Sequence, residues 1–403
     1  MGAMHSTGQL LIAGGGIAGM AAALAAARAG WEVRVYERTA AFAEIGAGLQ
    51  LGPNVTRILR AWGLEDELRR IASFPERLVV RNATSGAELG ILPMGRHAVQ
   101  RYDAPYATVH RGEFHALLLA AATGGHAVHV NLGQVVEHFR DAGTAVRIGT
   151  STGTEVEGDA LLGADGLLSG VRQQLLGDGP PRPVGDIAYR GLLLRDRLPT
   201  AARANEVTLW LGANLHVVHY PVKGGAALNV VAVVRGGAPA NGNGWDHHAT
   251  SAELTRAMAV ACAPLRDLVA AAPAATLNQQ PWRRWVLSAR APVAGATEMA
   301  RGLVALAGDA AHPMRPYMAQ GAGMAIEDAA ELGRALAMDA VDLPTRLQRY
   351  ALARWQRCAR VQARSARNGE IFHARGLMRL GRDTSIRLLG ERVLDVPWLY
   401  AGP

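Results

Sequence analysis

The stretch QLLIAGGGIAGMAAALAAARAGWEVRVYER, Gln9 to Arg38, decides the fold. Leu10 to Ala13 is a short apolar run that stops at glycines, the pattern of a parallel strand buried on both faces. Gly14, Gly16 and Gly19 follow in G-x-G-x-x-G spacing. Ala21 to Ala29 is a strong helix former halted by Gly30, and Glu32 to Tyr36 reads as a second strand ending at Glu37. In such a unit Gly14 permits the tight turn, Gly16 lets a pyrophosphate approach the backbone, and Gly19 lets helix and strand pack closely. The helix N-terminus supplies unpaired N–H groups and positive partial charge. Glu37, 23 residues beyond Gly14, stands where a carboxylate accepts hydrogen bonds from an adenosine ribose. The unit predicts an α/β chain with a Rossmann-type dinucleotide-binding domain. The motif by itself separates neither FAD from NAD nor these from a methyltransferase turn.

The chain has 403 residues, 49% of them apolar, enough for two domains or one large interleaved one. Cys262 and Cys358 are the only cysteines, too few for a disulfide framework or a cysteine-rich metal site, and fit a reducing cytoplasm. The opening MGAMHST lacks a basic n-region and an apolar h-region and reads partly as a cloning scar. No apolar run is long enough for a membrane span, so a cytoplasmic protein is expected. Forty-two Lys and Arg against 34 Asp and Glu give +8. The excess is mostly arginine, concentrated in RYALARWQRCARVQARSARNGE, where Arg357, Arg360 and Arg364 share one face at helical spacing. Aromatic interleaving is sparse, so a solvated or subunit-facing helix is expected rather than a nucleic-acid surface. GGAPANGNG, from Gly236, has no flanking strand-then-helix pattern and reads as a loop.

Two more motifs repeat the logic of the first. DALLGADGLLSGVR, Asp159 to Arg172, runs from a short apolar strand into Gly163, Asp165 and Gly166. GLVALAGDAAHP, Gly302 to Pro313, runs from an apolar strand into Gly308 and Asp309. An acid at the carboxyl end of a strand lies where open α/β sheets bind ligands. With GGGIAG and Glu37, GADG and Arg172, and GDAAHPMRPYMAQGAG in this order, the chain resembles the single-component FAD-dependent aromatic hydroxylases of the para-hydroxybenzoate hydroxylase fold. EIGAGLQLGPN (Glu44 to Asn54) and HRGEFHALLL (His110 to Leu119) resemble its salicylate, 3-hydroxybenzoate and 6-hydroxynicotinate hydroxylase branch.

The resemblance implies non-covalent FAD, with NADH or NADPH as a visiting co-substrate that needs no Rossmann unit of its own. It implies Glu37 at the FAD ribose, Arg111 on the FAD in its extended pose, and Asp165 near the pyrophosphate with a second role toward NAD(P)H. Asp309 would bind the ribityl chain, and Gly321 and Ala322 would offer backbone N–H groups to the flavin N1–C2=O edge. Arg38 and Gly48 join the cofactor set on the same ground. Gly321 to Met338 reads as a helix, whose N-terminus would stabilise the negative charge of a reduced flavin.

From Pro183 to Trp285 the chain is strand-rich, and LWLGANLHVVHYPVKGGAALNVVAVV reads as two strands around a K-G-G turn. Alternation puts His216, Val218 and Tyr220 on one face, with His216 and Tyr220 about 13 Å apart along the strand. In the resembling branch, residues at the positions of His216 and Tyr220 contact the aromatic substrate. Hydroxylation ortho or para to a ring hydroxyl needs the phenol partly deprotonated, and a histidine of near-neutral pKa suits that proton. The 6-hydroxynicotinate hydroxylases carry His at the positions of Gln50 and Tyr317, so this chain favours a hydroxybenzoate-like ring there. His312 and Asp309 suggest a dyad, but no G-x-S-x-G elbow supplies a nucleophile and the segment lacks a metal-ligand set, so His312 is expected to order its turn.

The expected domains are residues 8–182 for the first part of the FAD-binding domain, with small substrate-side insertions, then 183–285 for a β-rich substrate domain. Residues 286–340 are expected to return to the FAD-binding domain and 341–403 to form a helical region, since nothing after residue 370 suggests an appended thioredoxin-like domain. The expected function is hydroxylation of a small phenolic acid with NAD(P)H and O₂ through a flavin C4a-hydroperoxide, by a monomer or homodimer. The alternatives are a hydroxypyridine hydroxylase, a flavin reductase or dehydrogenase without oxygen insertion, and a non-enzymatic flavin-binding sensor.

Overall fold

The computed structural model describes residues 8–42, 47–236, 247–277 and 281–402. Residues 237–244 of the GGAPANGNG loop and 44–46 of EIGAGLQLGPN lie outside them. By compactness the chain divides into two units, each built from three separated segments. The first comprises Met1–Ala43, His115–Arg182 and Arg290–Ser365; the second comprises Glu44–Phe114, Pro183–Ala289 and Ala366–Pro403. Residues 44–114, which the sequence ranges count as insertions in the FAD-binding part, therefore group with the β-rich segment.

The first unit is organised by a six-stranded sheet in the order Ala300–Arg301, Val304–Leu306, Ala160–Gly163, Gln9–Ala13, Glu32–Glu37 and Val128–Leu132. All neighbours pair in parallel except the short edge hairpin Ala300–Arg301 with Val304–Leu306. Ala13 lies beside Gly163, and Gly163 beside Leu306. The glycine-rich turn, GADG and GDAAHP thus leave the carboxyl ends of three adjacent parallel strands, where such sheets bind ligands. The helix Ile17–Arg28, alanine-rich and almost wholly buried, packs on the helix Gly321–Leu336. A Cβ on Gly333 would lie 3.1 Å from Ala25, so small residues on both helices set this close approach. The indole N–H of Trp31 donates to the Leu336 carbonyl at 3.2 Å and ties the end of the unit.

The arginine-rich segment forms the helix Leu343–Phe372. Arg360 and Arg364 are exposed, as a solvated face requires, but Arg357 is half-buried and grips Glu327 at 2.6 and 2.8 Å. Helical spacing placed Arg357 with the solvated set because it does not reveal a buried acid on a neighbouring helix. Among the described residues no helix is long and apolar enough to cross a membrane.

The second unit is organised by an eight-stranded sheet: His247–Ala249, Trp282–Ala289, Arg182–Leu194, Ala227–Arg235, Leu215–Val222, Val207–Gly212, Arg77–Asn82 and Glu88–Pro93, in that spatial order. The stretch read as two strands around K-G-G contains parts of three. A further hairpin turns at Asn214, which adopts φ 57°, a left-handed conformation that asparagine tolerates. Alternation sends Leu228, Val230 and Val217 to one apolar cluster, with Trp210 and Trp282. It sends Tyr220 and Val222 to the opposite face, with Tyr106 and Leu192. The helices Gly376–Leu389, Glu391–Leu394 and Pro397–Tyr400 complete the chain.

Candidate functional site

In the first unit the glycine turn has the geometry that the spacing demands. Gly14 takes φ +100°, and a Cβ there would stand 2.4 Å from the Ala164 carbonyl oxygen. A Cβ on Gly19 would stand 1.9 Å from the Gly14 carbonyl oxygen. Gly16 differs: no atom lies within 4 Å of where its Cβ would be. It begins the helix Ile17–Arg28 with no side-chain cap and no acid in the first turn. An open backbone cradle at an uncapped helix N-terminus fits a pyrophosphate. Glu37 ends its strand, and its carboxylate accepts from the Gly15 N–H at 2.8 Å and from the Thr39 N–H and hydroxyl at 2.9 Å each. Arg38 is exposed beside it. His115 Nε2 lies 2.7 Å from the Gly15 carbonyl, with Phe42 against its ring; neither residue was legible as part of the turn.

Asp165 accepts from the Val171 N–H at 3.2 Å, while its other oxygen is buried without a hydrogen-bond partner. Burial raises its pKa, against the pull of Ser169 and nearby backbone N–H groups. Arg172, 4% exposed, donates to Asp178 at 2.7 Å and to the Ala311 carbonyl at 2.5 Å, so it ties the GADG segment to the GDAAHP turn. Asp309 is exposed at the end of its strand, and one of its carboxylate oxygens is 3.9 Å from where a Cβ of Gly321 would stand. Gly321 and Ala322 are half-buried and open the helix Gly321–Leu336, which also lacks a side-chain cap and a first-turn acid. Tyr317 is buried in the short turn just before it.

His312 does not pair with Asp309. Its Nε2 meets Asp328 at 2.6 Å, and the same carboxylate accepts from the Gly308 N–H at 2.9 Å and from Arg354 at 2.8 Å. Arg354 also donates to Glu327 at 2.7 Å. Burial opposes the charge on His312, but Asp328 prevails and holds the imidazole pKa well above its ordinary value. Burial likewise opposes the Asp328 charge, and His312 and Arg354 hold that carboxyl well below its range. His312, Asp328 and Cys358 present possible metal-ligand atoms within 4.8 Å of one another. The Arg354 guanidinium already occupies that carboxylate, and a cation there would meet its fixed charge. The cluster braces the Gly308–His312 turn from below, a role invisible without knowing which acid the histidine reaches.

In the second unit Gln50, on the strand Gly48–Leu51, accepts from the Tyr106 hydroxyl at 2.7 Å and hydrogen-bonds Tyr220. Burial raises the Tyr220 pKa far above its usual value against the opposing effects of Arg190 and Gln50, and burial does the same to Tyr106. Both phenols are therefore protonated hydrogen-bonding groups, not bases. Gly48, expected with the cofactor set, donates its N–H to Asn229 at 2.7 Å, and a Cβ there would come within 2.7 Å of both Tyr220 and Asn229. Arg111 begins its helix exposed, with its N–H on the Ala47 carbonyl at 2.8 Å. Tyr106 and Asn229 lacked any sequence signal; strand pairing sets Asn229 opposite Tyr220, and Tyr106 joins through its bond to Gln50. We expect Gly48→Ala to raise the KM for the aromatic substrate roughly tenfold, about 1.4 kcal/mol, without changing FAD content. Steady-state kinetics with flavin quantitation check this; loss of FAD would instead support the cofactor role that the resemblance implies for Gly48.

His216 is 3% exposed; its Nδ1 is 2.9 Å from His373 Nε2, and the Phe372 ring stands edge-on at 5.4 Å. Burial, then His373, lowers its pKa well below the ordinary value. The near-neutral pKa expected from sequence does not allow for this enclosure, because His373 lies 157 residues away.

These features define a dinucleotide-binding protein with a Rossmann-type sheet and a separate β-rich unit. The family described as "FAD binding domain" matches residues 7–365. The 3-hydroxybenzoate 6-hydroxylase of Polaromonas naphthalenivorans (strain CJ2) is 36% identical, over 97% of this chain and 95% of that protein. The 6-hydroxynicotinate 3-monooxygenase of Bordetella bronchiseptica is 35% identical, over 89% of this chain and 91% of that protein. A salicylate hydroxylase substrate complex shares the fold with a TM-score of 0.80 at 24% identity, over 98% of this chain and 95% of that one. The chain belongs to the FAD binding domain family, in its branch of FAD-dependent aromatic hydroxylases.

Proposed function

We propose that the protein hydroxylates a small phenolic acid of the 3-hydroxybenzoate or salicylate type, consuming NAD(P)H and O₂, as a cytoplasmic monomer or homodimer. The observation that supports this best is the trio of buried Tyr106 and Tyr220 with half-buried Gln50 between them, which presents neutral hydrogen-bonding groups suited to a ring hydroxyl. Non-covalent FAD, when bound, supplies oxygen activation and accepts the reducing equivalents.

The chain's own residues bind and orient. Gly14, Gly16 and Gly19 shape the turn for the pyrophosphate, and Asp165 and Arg111 would each contribute a contact to the bound FAD. Glu37 and Arg38 take the adenosine end, and Asp309 takes the ribityl hydroxyls. The N–H groups of Gly321 and Ala322 would serve the flavin N1–C2=O edge, where the helix dipole would favour negative charge. Gly48 makes room for Tyr220. Gln50 and Tyr317 contact the ring, and Tyr220 fixes its hydroxyl. His216 takes the role of base: burial keeps it neutral, the form that can take a proton, while making it a weaker base than an ordinary imidazole, and His373 meets its Nδ1. Glutamine and tyrosine at positions 50 and 317 favour a hydroxybenzoate over a hydroxypyridine.

A panel of hydroxybenzoates and hydroxypyridines, scored for stimulated NAD(P)H oxidation and product, tests the proposal. A hydroxybenzoate should give a dihydroxylated acid; flavin turnover yielding only H₂O₂ or a reduced product with every ring would favour a reductase. His216→Ala is expected to cut product per NAD(P)H consumed at least ~100-fold. An unchanged yield and pH profile would remove His216 as the base.

A further inference from the structure

Asn229 lies in the middle of the strand Ala227–Arg235 and is fully buried. Its neighbours Leu228 and Val230 point into the apolar cluster that holds Trp210 and Trp282. Strand alternation therefore turns Asn229 to the other face, beside Tyr220, its partner in register on the strand Leu215–Val222. Its Oδ1 accepts the Gly48 N–H at 2.7 Å, which fixes the amide orientation. The consequence falls on the other atom. Nδ2 is buried with no hydrogen-bond partner.

A buried, unpaired amide donor costs about 1–3 kcal/mol, and such groups are uncommon in native proteins. The bond from the Gly48 N–H accounts for Oδ1 but leaves the Nδ2 donor unexplained. We propose that Asn229 is a substrate-binding residue whose Nδ2 donates to the carboxylate of the aromatic acid, beside the ring hydroxyl site of Tyr220 and Gln50. Three features favour an acid. Nδ2 can only donate, so its partner must be an acceptor. Tyr220 and Gln50 already serve the hydroxyl. Arg190, on the strand that pairs with Ala227–Arg235, acts electrostatically on Tyr220 and gives this face a positive potential. Asn229 is thus a determinant of specificity for ring acids over neutral phenols.

The inference rests on the phenolic-acid reading, and the test separates the two. Asn229→Asp is nearly isosteric and keeps the acceptor for Gly48, but replaces the donor with an oxygen. In the FAD-loaded enzyme, its Kd for 3-hydroxybenzoate, read from the flavin spectrum, should rise ~10- to 100-fold. The Kd for 3-methylphenol, which lacks the carboxylate, should move less than about twofold. Asn229→Leu should show the same selectivity; it removes the orphan Nδ2 donor but also the acceptor of the Gly48 N–H, so the two effects on thermal stability oppose each other. Unchanged 3-hydroxybenzoate binding in either folded variant, or equal losses for both ligands, overturns the assignment to the carboxylate. If Asn229→Asp loses FAD or its thermal transition, the Leu variant decides. Failure of the wild-type enzyme to bind any hydroxybenzoate would instead overturn the phenolic-acid reading itself.

Discussion

Asp328→Ala is expected to destabilise the first unit by about 3–5 kcal/mol, the usual loss when one partner of a buried ionic cluster is removed. The carboxylate is fully buried, and its removal leaves His312 without its counter-charge, leaves Arg354 with Glu327 alone as anionic partner, and frees the Gly308 N–H. Since Gly308 and His312 bracket Asp309, FAD retention should fall with stability. The pH dependence follows from the two shifts. The depressed Asp328 pKa gives stability that is present above about pH 4 and lost as pH falls. The raised His312 pKa gives stability that is complete below about pH 6.5 and lost as pH rises through the folded value. The stability gap between wild type and variant should therefore be widest between about pH 4 and 6.5. Thermal melts across that range, with flavin quantitation, check it; equal melting temperatures would show that the cluster contributes nothing.

The glycine turn offers a second large effect that separates folding from ligand binding. Gly19→Ala places a methyl 1.9 Å from a backbone carbonyl, which cannot rotate away, so the turn itself must shift. Overpacking of this kind costs about 1–3 kcal/mol, and the melting temperature should fall even without flavin. Gly16→Ala meets nothing within 4 Å and keeps φ −72°, a conformation open to any residue. The flavin-free protein should melt unchanged, while FAD affinity drops at least ~10-fold because the methyl occupies the cradle. Tight FAD binding by Gly16→Ala would place the pyrophosphate elsewhere.

Local pattern made the cofactor side legible. G-x-G-x-x-G, its helix and Glu37 are consecutive, and the GADG and GD strands announce themselves by apolar runs ending in glycine and acid. What pattern could not supply was pairing across long separations. Asp328 as the partner of His312, His373 at His216, and Asn229 beside Tyr220 all depend on which elements meet. The Arg357 side chain shows the same limit: its spacing matches a solvated face, but Glu327 draws it inward.

Oxygen-isotope labelling tests the central claim most directly. The FAD-loaded enzyme is supplied with NAD(P)H and 3-hydroxybenzoate under ¹⁸O₂, and the product is weighed by mass spectrometry. One ¹⁸O atom in a new ring hydroxyl is the predicted result. Consumption of NAD(P)H with no labelled product, all the oxygen leaving as H₂O₂, across the hydroxybenzoate panel would contradict the account.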